Sequence, residues 1–545
     1  MKKEEKQQKF GFFFGFLTDC KNQVKQIMQH VKNNSKKPHG KEKRARAVDV
    51  CGERRYNKKT EKTDGFIREF ENDEACGRVE RRPQRIKKET GKMKRENDLG
   101  RDDVGALVWR TALPSMLAQF VSVLYSIVDR MYIGHIAGAG ETALAGVGVC
   151  GPVVTMVGSA AVWISWGASP LMGIRMGEGR PEEAKRILRT GFVMLLAFSL
   201  AMMALVIPLR EPMLRFFGAS DATYPYADAY FTTYLMGTVF ALLATGLNQM
   251  IIAQGFAAQA MRLVVLGAAL NIALDPVFIF ALNMGVRGAA LATVLSQLAS
   301  AAGAMLFLCG RRAAVRLERG GLSMAAAKKI LALGFTPFAI IAIDNVMVIA
   351  MNAVLQRYGG AQLGDRLVTC AVIAQSFMLV MTMPLGGISG GTQSILSYNY
   401  GARQFDRVRA AQKKILALCM GFTAIMFVLA RVAGPLFVRL FTQDDEVAAL
   451  SVWAIRVCTL AAVPLGAQYE IVDGFTALGQ VKISFPLSFF RKGVYFAALF
   501  ILPACFGARA AFYAEPVSDI VGPLVSAIVY KLCIGHVLSD EHARI

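Results

Sequence analysis

The chain repeats itself about 223 residues apart within a strongly apolar background. Pro114 recurs as Pro337, and Gly177 in Arg175-Met-Gly-Glu-Gly-Arg180 recurs as Gly401 in Asn399-Tyr-Gly-Ala-Arg403. Ala253-Gln-Gly255 recurs as Ala477-Leu-Gly479, and Gly285-Val-Arg287-Gly-Ala289 as Gly507-Ala-Arg509-Ala-Ala511. The offsets are 223, 224, 224 and 222. One such match carries little weight, but four in the same order at nearly constant offset define a duplicated architecture. An apolar chain built from two similar halves is the usual plan of a secondary transporter.

Charge divides the chain. Residues 1–100 hold 28 of the 62 Lys+Arg and 16 of the 40 Asp+Glu. The remaining 445 residues are sparsely charged, and mean hydropathy over the whole chain is +0.39. A basic extension beside membrane spans marks the cytosolic side and contact with anionic lipid, not nucleic acid. The extension, 1–100, lacks sustained apolar periodicity and is expected to be disordered. Met93 opens a second plausible start, so residues 1–92 are read either as upstream sequence that is not translated or as a native tail. The short apolar run Phe10–Leu17 has no clean cleavage site after it and is not read as a signal peptide.

Twelve apolar segments follow, near 109–135, 143–172, 188–209, 226–252, 261–283, 287–309, 328–357, 367–397, 413–439, 448–477, 482–505 and 509–535. A helix needs roughly 20 residues to cross a hydrocarbon core of about 30 Å, and these suffice. The spacing therefore predicts an all-α polytopic membrane protein with twelve transmembrane helices in two six-helix bundles. The first lobe is 101–309, the linker 310–327, the second lobe 328–536 and the tail 537–545. Lys and Arg gather after segment 2 (Arg175, Arg180, Lys185, Arg186), segment 6 (Arg311, Arg312, Arg316, Arg319) and segment 8 (Arg403, Arg407, Arg409, Lys413, Lys414). All three connections lie on one side. The positive-inside rule makes that side cytosolic, together with both termini. Six spans per half give both halves the same orientation, a parallel repeat.

Ionisable groups inside spans are costly and mark function. Asp129 lies late in segment 1 and Asp275 in segment 5. Asn271, four residues before Asp275, shares its helix face. Pro276 removes an N–H and frees the carbonyl of Ile272. Asn248 and Thr293 add an amide and a hydroxyl. Oxygen ligands of this kind suit a hard cation such as Na⁺, and the same carboxylates could instead carry H⁺. The spacing leaves both open, along with a purely structural role in tying helices together. In the second half Asp344, Glu470, Asp473, Glu515 and Asp519 fall within spans. Glu515 and Asp519 share a helix face and could attract a cation or bind a proton, unless Arg491 or Lys492 neutralises one of them. Phe377, Met378, Met381 and Met383 in segment 8 fit either an adaptable apolar pocket or ordinary packing.

Absent motifs narrow the classes. No G-x-x-x-x-G-K-[ST] occurs, so transport would draw on an ion gradient and not on ATP. The histidines are His30, His39, His135, His536 and His542, none of them mid-span, which argues against an intramembrane enzyme. The ten cysteines form no C-x-x-C pair, so neither a zinc site nor a disulfide framework is expected.

Several motifs together resemble the multidrug and toxic compound extrusion (MATE) transporters. They are Leu113-Pro114 with Val128-Asp129 and Ile133-Gly134, Gly177-Glu-Gly179 with Ala184-Lys185-Arg186, Asn271-Ile-Ala-Leu-Asp-Pro276, Gly288-Ala-Ala-Leu-Ala-Thr293 and Ser397-Tyr-Asn-Tyr-Gly401. Ala514-Glu515-Pro516 points toward the bacterial multidrug branch. The resemblance covers about residues 100–540. It implies two six-helix lobes around a cavity of alternating access, in a bacterial plasma membrane. It implies export of organic, often cationic drugs in exchange for Na⁺ or H⁺, with no other cofactor, by a monomer in contact with lipid. It assigns the first-lobe cation site to Asp129, Asn271, Asp275 and Thr293, with Asn248 beside them. Glu470, Asp473, Glu515 and Asp519 are the second-lobe candidates for substrate or proton. A lipid-linked oligosaccharide flippase of the same superfamily is the alternative function, and a membrane enzyme a more distant one.

Overall fold

The computed structural model describes residues 97–136 and 140–539; the rest of the basic extension and the last residues of the tail lie outside the described residues. Among the described residues, ten single helices are long and apolar enough to span a membrane, and two bent pairs supply one span each. We number the spans α1 (Val104–Gly134), α2 (Thr142–Gly177), α3 (Pro181–Phe216), α4 (Tyr224–Met236 with Thr238–Ala253), α5 (Ala257–Ala281) and α6 (Val286–Cys309). The second set is α7 (Met324–Gly360), α8 (Leu363–Gly401), α9 (Phe405–Val432), α10 (Asp445–Cys458 with Ala462–Ala477), α11 (Val481–Phe506) and α12 (Ala508–Val537).

Local chemistry sets the ends. Asp103 accepts from the Ala106 amide at 2.9 Å and caps α1, and that amide holds its carboxyl below the usual range. Ser323 caps α7 through the Ala326 amide, and Pro181 opens α3 where its missing N–H costs nothing. Gly360, at φ 68, takes the left-handed turn that ends α7. Prolines inside spans are tolerated because neighbouring helices satisfy the freed groups.

The repeat is written into the backbone. Left-handed φ occurs at Gly179 and Arg403, at Gly255 and Gly479, and at Gly285 and Gly507, each pair at the repeat offset. Arg403 occupies at φ 56 a position whose counterpart is glycine. The breaks in α4 (56°) and α10 (49°) are counterparts as well. The sequence reading took both as continuous spans. Glycine at 237 allows the first break: a Cβ there would lie 2.2 Å from the Val294 side chain.

Buried apolar side chains form two cores, one drawn from residues 133–333 and the other from 347–514. The halves meet through backbone. A Cβ on Gly177 would lie 1.9 Å from the Tyr398 carbonyl oxygen, and one on Gly401 would lie 2.1 Å from that of Ile174. Tyr398 is Ile174 shifted by 224, so this is one contact made twice about a pseudo-twofold axis. Gly173 faces its own counterpart, Ser397. The crossings of α2 with α7 and of α8 with α1 follow the same pattern. Gly334 abuts the Trp163 carbonyl, and Gly387 and Gly391 abut Ser115. Small residues let membrane helices approach this closely and gain dispersion contact.

All these crossings lie toward the end that carries the Lys/Arg-rich connections. There the segment before α1 spans the seam. Asn97 donates to the Gly255 carbonyl at 2.9 Å, while Asn399 and Arg407 donate to the Leu99 carbonyl at 3.0 and 3.3 Å. Arg407 also reaches the Asp102 carbonyl at 2.8 Å. The connection between α6 and α7 is bound to α3 by Arg189, which donates to the carbonyls of Glu318 and Gly321.

Gly177→Ala is expected to force α2 and α8 apart and lower stability by about 1–3 kcal/mol, the range for overpacking. Gly148→Ala, where a Cβ meets open space in the same helix, is expected to leave stability unchanged or slightly raised. Thermal unfolding of the two variants in detergent checks both.

Candidate functional site

A cavity of about 610 Å³ lies between the halves, where the glycine crossings end. Its first-half wall is polar but uncharged: Gln119, Asn248, Gln249, Asn271, Thr293 and Gln297. Its second-half wall carries charge: Asp344, Asp473, Arg491 and Lys492.

Three of the five first-half candidates are joined by one amide. Asn271 donates to Asp275 at 3.2 Å and to Thr293 at 3.3 Å. The first bond uses the four-residue spacing on α5; the second ties α5 to α6. Pro276 does end the regular α-helix, and a π-helical turn, Val277–Ala281, follows it. Asn271 and Thr293 belong to the cavity wall, while Asp275 is fully buried behind them. Asp129 on α1 is also buried and within electrostatic range of Asp275. Asn248 lines the cavity but makes no hydrogen bond to the other four among the described residues.

The unpaired oxygens are the telling detail. Asp129 Oδ1, Asn248 Oδ1, Asn271 Oδ1 and Asp275 Oδ2 are buried without a partner. An unsatisfied buried acceptor costs about 1–3 kcal/mol. Each of these four acceptors lacks a donor, a deficit that a proton or a hard cation at that oxygen would relieve.

The second half is arranged differently. Asp473 accepts from Ser389 at 2.5 Å, which links α10 to α8. Glu470 is buried with Oε1 unpaired, beside Gln412, which accepts from Tyr530 at 2.9 Å. Glu515 and Asp519 are not a free pair. Arg491 donates to Asp519 Oδ1 at 2.7 Å, so the neutralising alternative from the sequence holds for Asp519. Gly522 makes room for it, since a Cβ there would lie 2.7 Å from Arg491 Cγ. Lys492 pairs with neither acid of α12 but with Asp344 on α7. Sequence reasoning noted Asp344 without giving it a role. The signal was available: Arg491-Lys492 is a pair of cations in mid-span, and each needs a partner. Of the segment 8 residues, Met383 lines the cavity, whereas Phe377 and Met381 are buried in the second core and Met378 packs against it.

Known proteins share this architecture. The MatE family model matches residues 114–277 and 340–500. A FAD transporter of Shewanella oneidensis is 25% identical over 384 residues, 69% of this chain and 82% of that protein. The multidrug export protein MepA of Staphylococcus haemolyticus is 20% identical, covering 77% of this chain and 92% of its own. Among solved structures, an outward-facing multidrug resistance MATE transporter of the MOP superfamily superposes with TM-score 0.76 at 22% identity. It covers 82% of this chain and 99% of its own. A MOP superfamily transporter from Pyrococcus furiosus, described as having a binding pocket of reverse polarity, gives TM-score 0.76 at 23% identity, with 81% and 98% covered.

Asn271→Leu removes both bonds that hold Asp275 and Thr293 together and leaves Asp275 buried without a donor. It is expected to cost about 1–3 kcal/mol, with Asn271→Asp partly sparing the α5–α6 link. Thermal melting of the two variants side by side checks this.

Proposed function

The chain belongs to the MatE family of multi-pass membrane transporters, and on that premise we propose that it exports amphipathic organic cations in exchange for Na⁺ or H⁺. The observation that carries this reading is the set of unpartnered oxygens, those of Asn248 and Asn271 on the wall of the central cavity and those of the buried Asp129 and Asp275. An ion entering that set bonds to Asn271, and Thr293 shares the same amide. Both are cavity-wall residues, so the ion and the substrate compete through shared side chains. Inward ion flow then lowers affinity for substrate and releases it outside, a population shift driven by differential affinity. No cofactor enters the cycle; Na⁺ or H⁺ is the second substrate.

In this reading the protein works as a monomer in a bacterial plasma membrane, in contact with lipid. The Lys/Arg-rich end and both termini face the cytosol. The conformation described, sealed by the glycine crossings at that end, is then the one open to the outside. The first-half lobe, 101–309, carries coupling, and the second, 328–536, carries Glu470 and Asp473 as groups for substrate or proton, with Asp519 and Glu515 serving the cations Arg491 and Lys492 instead. A second reading, transport of an anionic metabolite, is favoured by the Arg491 and Lys492 on the cavity wall and by the FAD-transporting relative. No feature of the cavity favours a flippase in the same way.

Ethidium efflux from proteoliposomes, with Na⁺ and H⁺ gradients imposed separately, tests the proposal. One gradient is expected to drive efflux, and Asp275→Asn to reduce it at least about fivefold, the lower end of site-to-site coupling. Full gradient-driven efflux by Asp129→Asn and Asp275→Asn would sink the site assignment.

A further inference from the structure

The ion pair on the second-half wall has a division of exposure that suggests a task. The Asp344 side chain is 47% exposed and lines the cavity, while Lys492, its partner from α11, is only 6% exposed. The carboxylate is therefore reachable from the cavity while its lysine is nearly covered. Arg491 is its neighbour on α11, and Glu515, one turn before the Asp519 that Arg491 holds, lies within electrostatic range of both cations.

The local inventory has one acid in excess. Asp344, Glu515 and Asp519 face Arg491 and Lys492, three carboxylates to two cations. Arg491 is committed to Asp519 Oδ1, and Asp519 Oδ2 is buried without a partner. Glu515 accepts no side-chain hydrogen bond among the described residues. A lysine is a point charge on a flexible stem, able to turn between neighbouring carboxylates where arginine's planar fork is held. Lys492 leaving Asp344 thus has Glu515 to turn to, and is not left as an uncompensated buried charge.

We propose that Lys492 is a built-in competitor for the substrate: it occupies Asp344 when the cavity is empty, and a cationic substrate displaces it toward Glu515. This deepens the export reading and rests on it. The consequence is that Asp344 is not left bare between turnovers, and its affinity for cations is held down by the fraction of molecules in which it is free. Weak binding to this conformation suits release of the cargo.

Equilibrium binding of ethidium to the purified full chain, read by fluorescence anisotropy, tests the idea without requiring transport. Lys492→Gln is expected to tighten binding by about tenfold, as if Asp344 were free in about a tenth of wild-type molecules. Lys492→Arg, which keeps the charge and reports on folding, is expected to bind no more tightly than wild type. Asp344→Asn is expected to abolish the gain in the Lys492→Gln background. The deciding variant is Glu515→Gln. It should weaken binding when Lys492 is present, by removing the alternative seat, and leave binding unchanged with Lys492→Gln. Equal weakening in both backgrounds would mean a general field effect and overturn the proposal. Unchanged or weaker ethidium binding by Lys492→Gln would overturn it too. So would loss of binding to FAD, as anionic probe, in that variant, since Lys492 would then be an anion ligand. Failure of every variant and the wild type to bind or export ethidium overturns the export reading itself. Ethidium binding that is indifferent to these substitutions overturns only the competitor.

Discussion

Backbone touching backbone is the constraint from which the rest follows. Gly177 against the Tyr398 carbonyl and Gly401 against that of Ile174 leave no room for a side chain. In a bilayer there is no hydrophobic force to press helices together, so close approach and dispersion must hold them. The two halves can meet this way only along a line of small residues. Where that line ends, the helices diverge, and the cavity between Asn248, Asn271 and Thr293 on one wall and Asp344 and Lys492 on the other is the space left over. Seal and binding site are thus two consequences of one packing rule.

The two walls then diverge in chemistry. Behind the first wall, oxygens of Asp129, Asn271 and Asp275 are buried without a donor. Behind the second, Arg491 and Lys492 are bonded to Asp519 and Asp344 across α7, α11 and α12. Duplication produced equivalent positions, as the paired left-handed residues show. By the repeat offset Thr293 corresponds to Glu515, and Asp129 to Asn352. Each substitution moved charge from one half to the other without disturbing the crossings that both halves need.

Much of this could be read from sequence because it is periodic or local. The repeat offset, the twelve spans and the Asn271–Asp275 spacing depend on residues near one another or on simple counting. The link from Asn271 to Thr293 was implied only by family resemblance, because nothing in one sequence fixes how α5 faces α6. The breaks in α4 and α10 were missed because Gly237 and Thr459–Ala461 sit within apolar runs that continue on both sides. At that break the Val294 side chain leaves no room for a Cβ on residue 237, which no local pattern reports. The pairing of Lys492 with Asp344 joins residues 148 apart and was open to several partners until geometry chose.

The residues before α1 add a mechanical consequence. Asn97, Leu99 and Asp102 are bonded to Gly255 on one half and to Asn399 and Arg407 on the other. Helix faces that slide past each other yield gradually, but directional bonds across a seam let go together once stretched beyond their short reach. This brace therefore acts as a latch. In a transporter whose halves rock apart, it would set a threshold below which they do not part and turn a continuous motion into a switch with two settings.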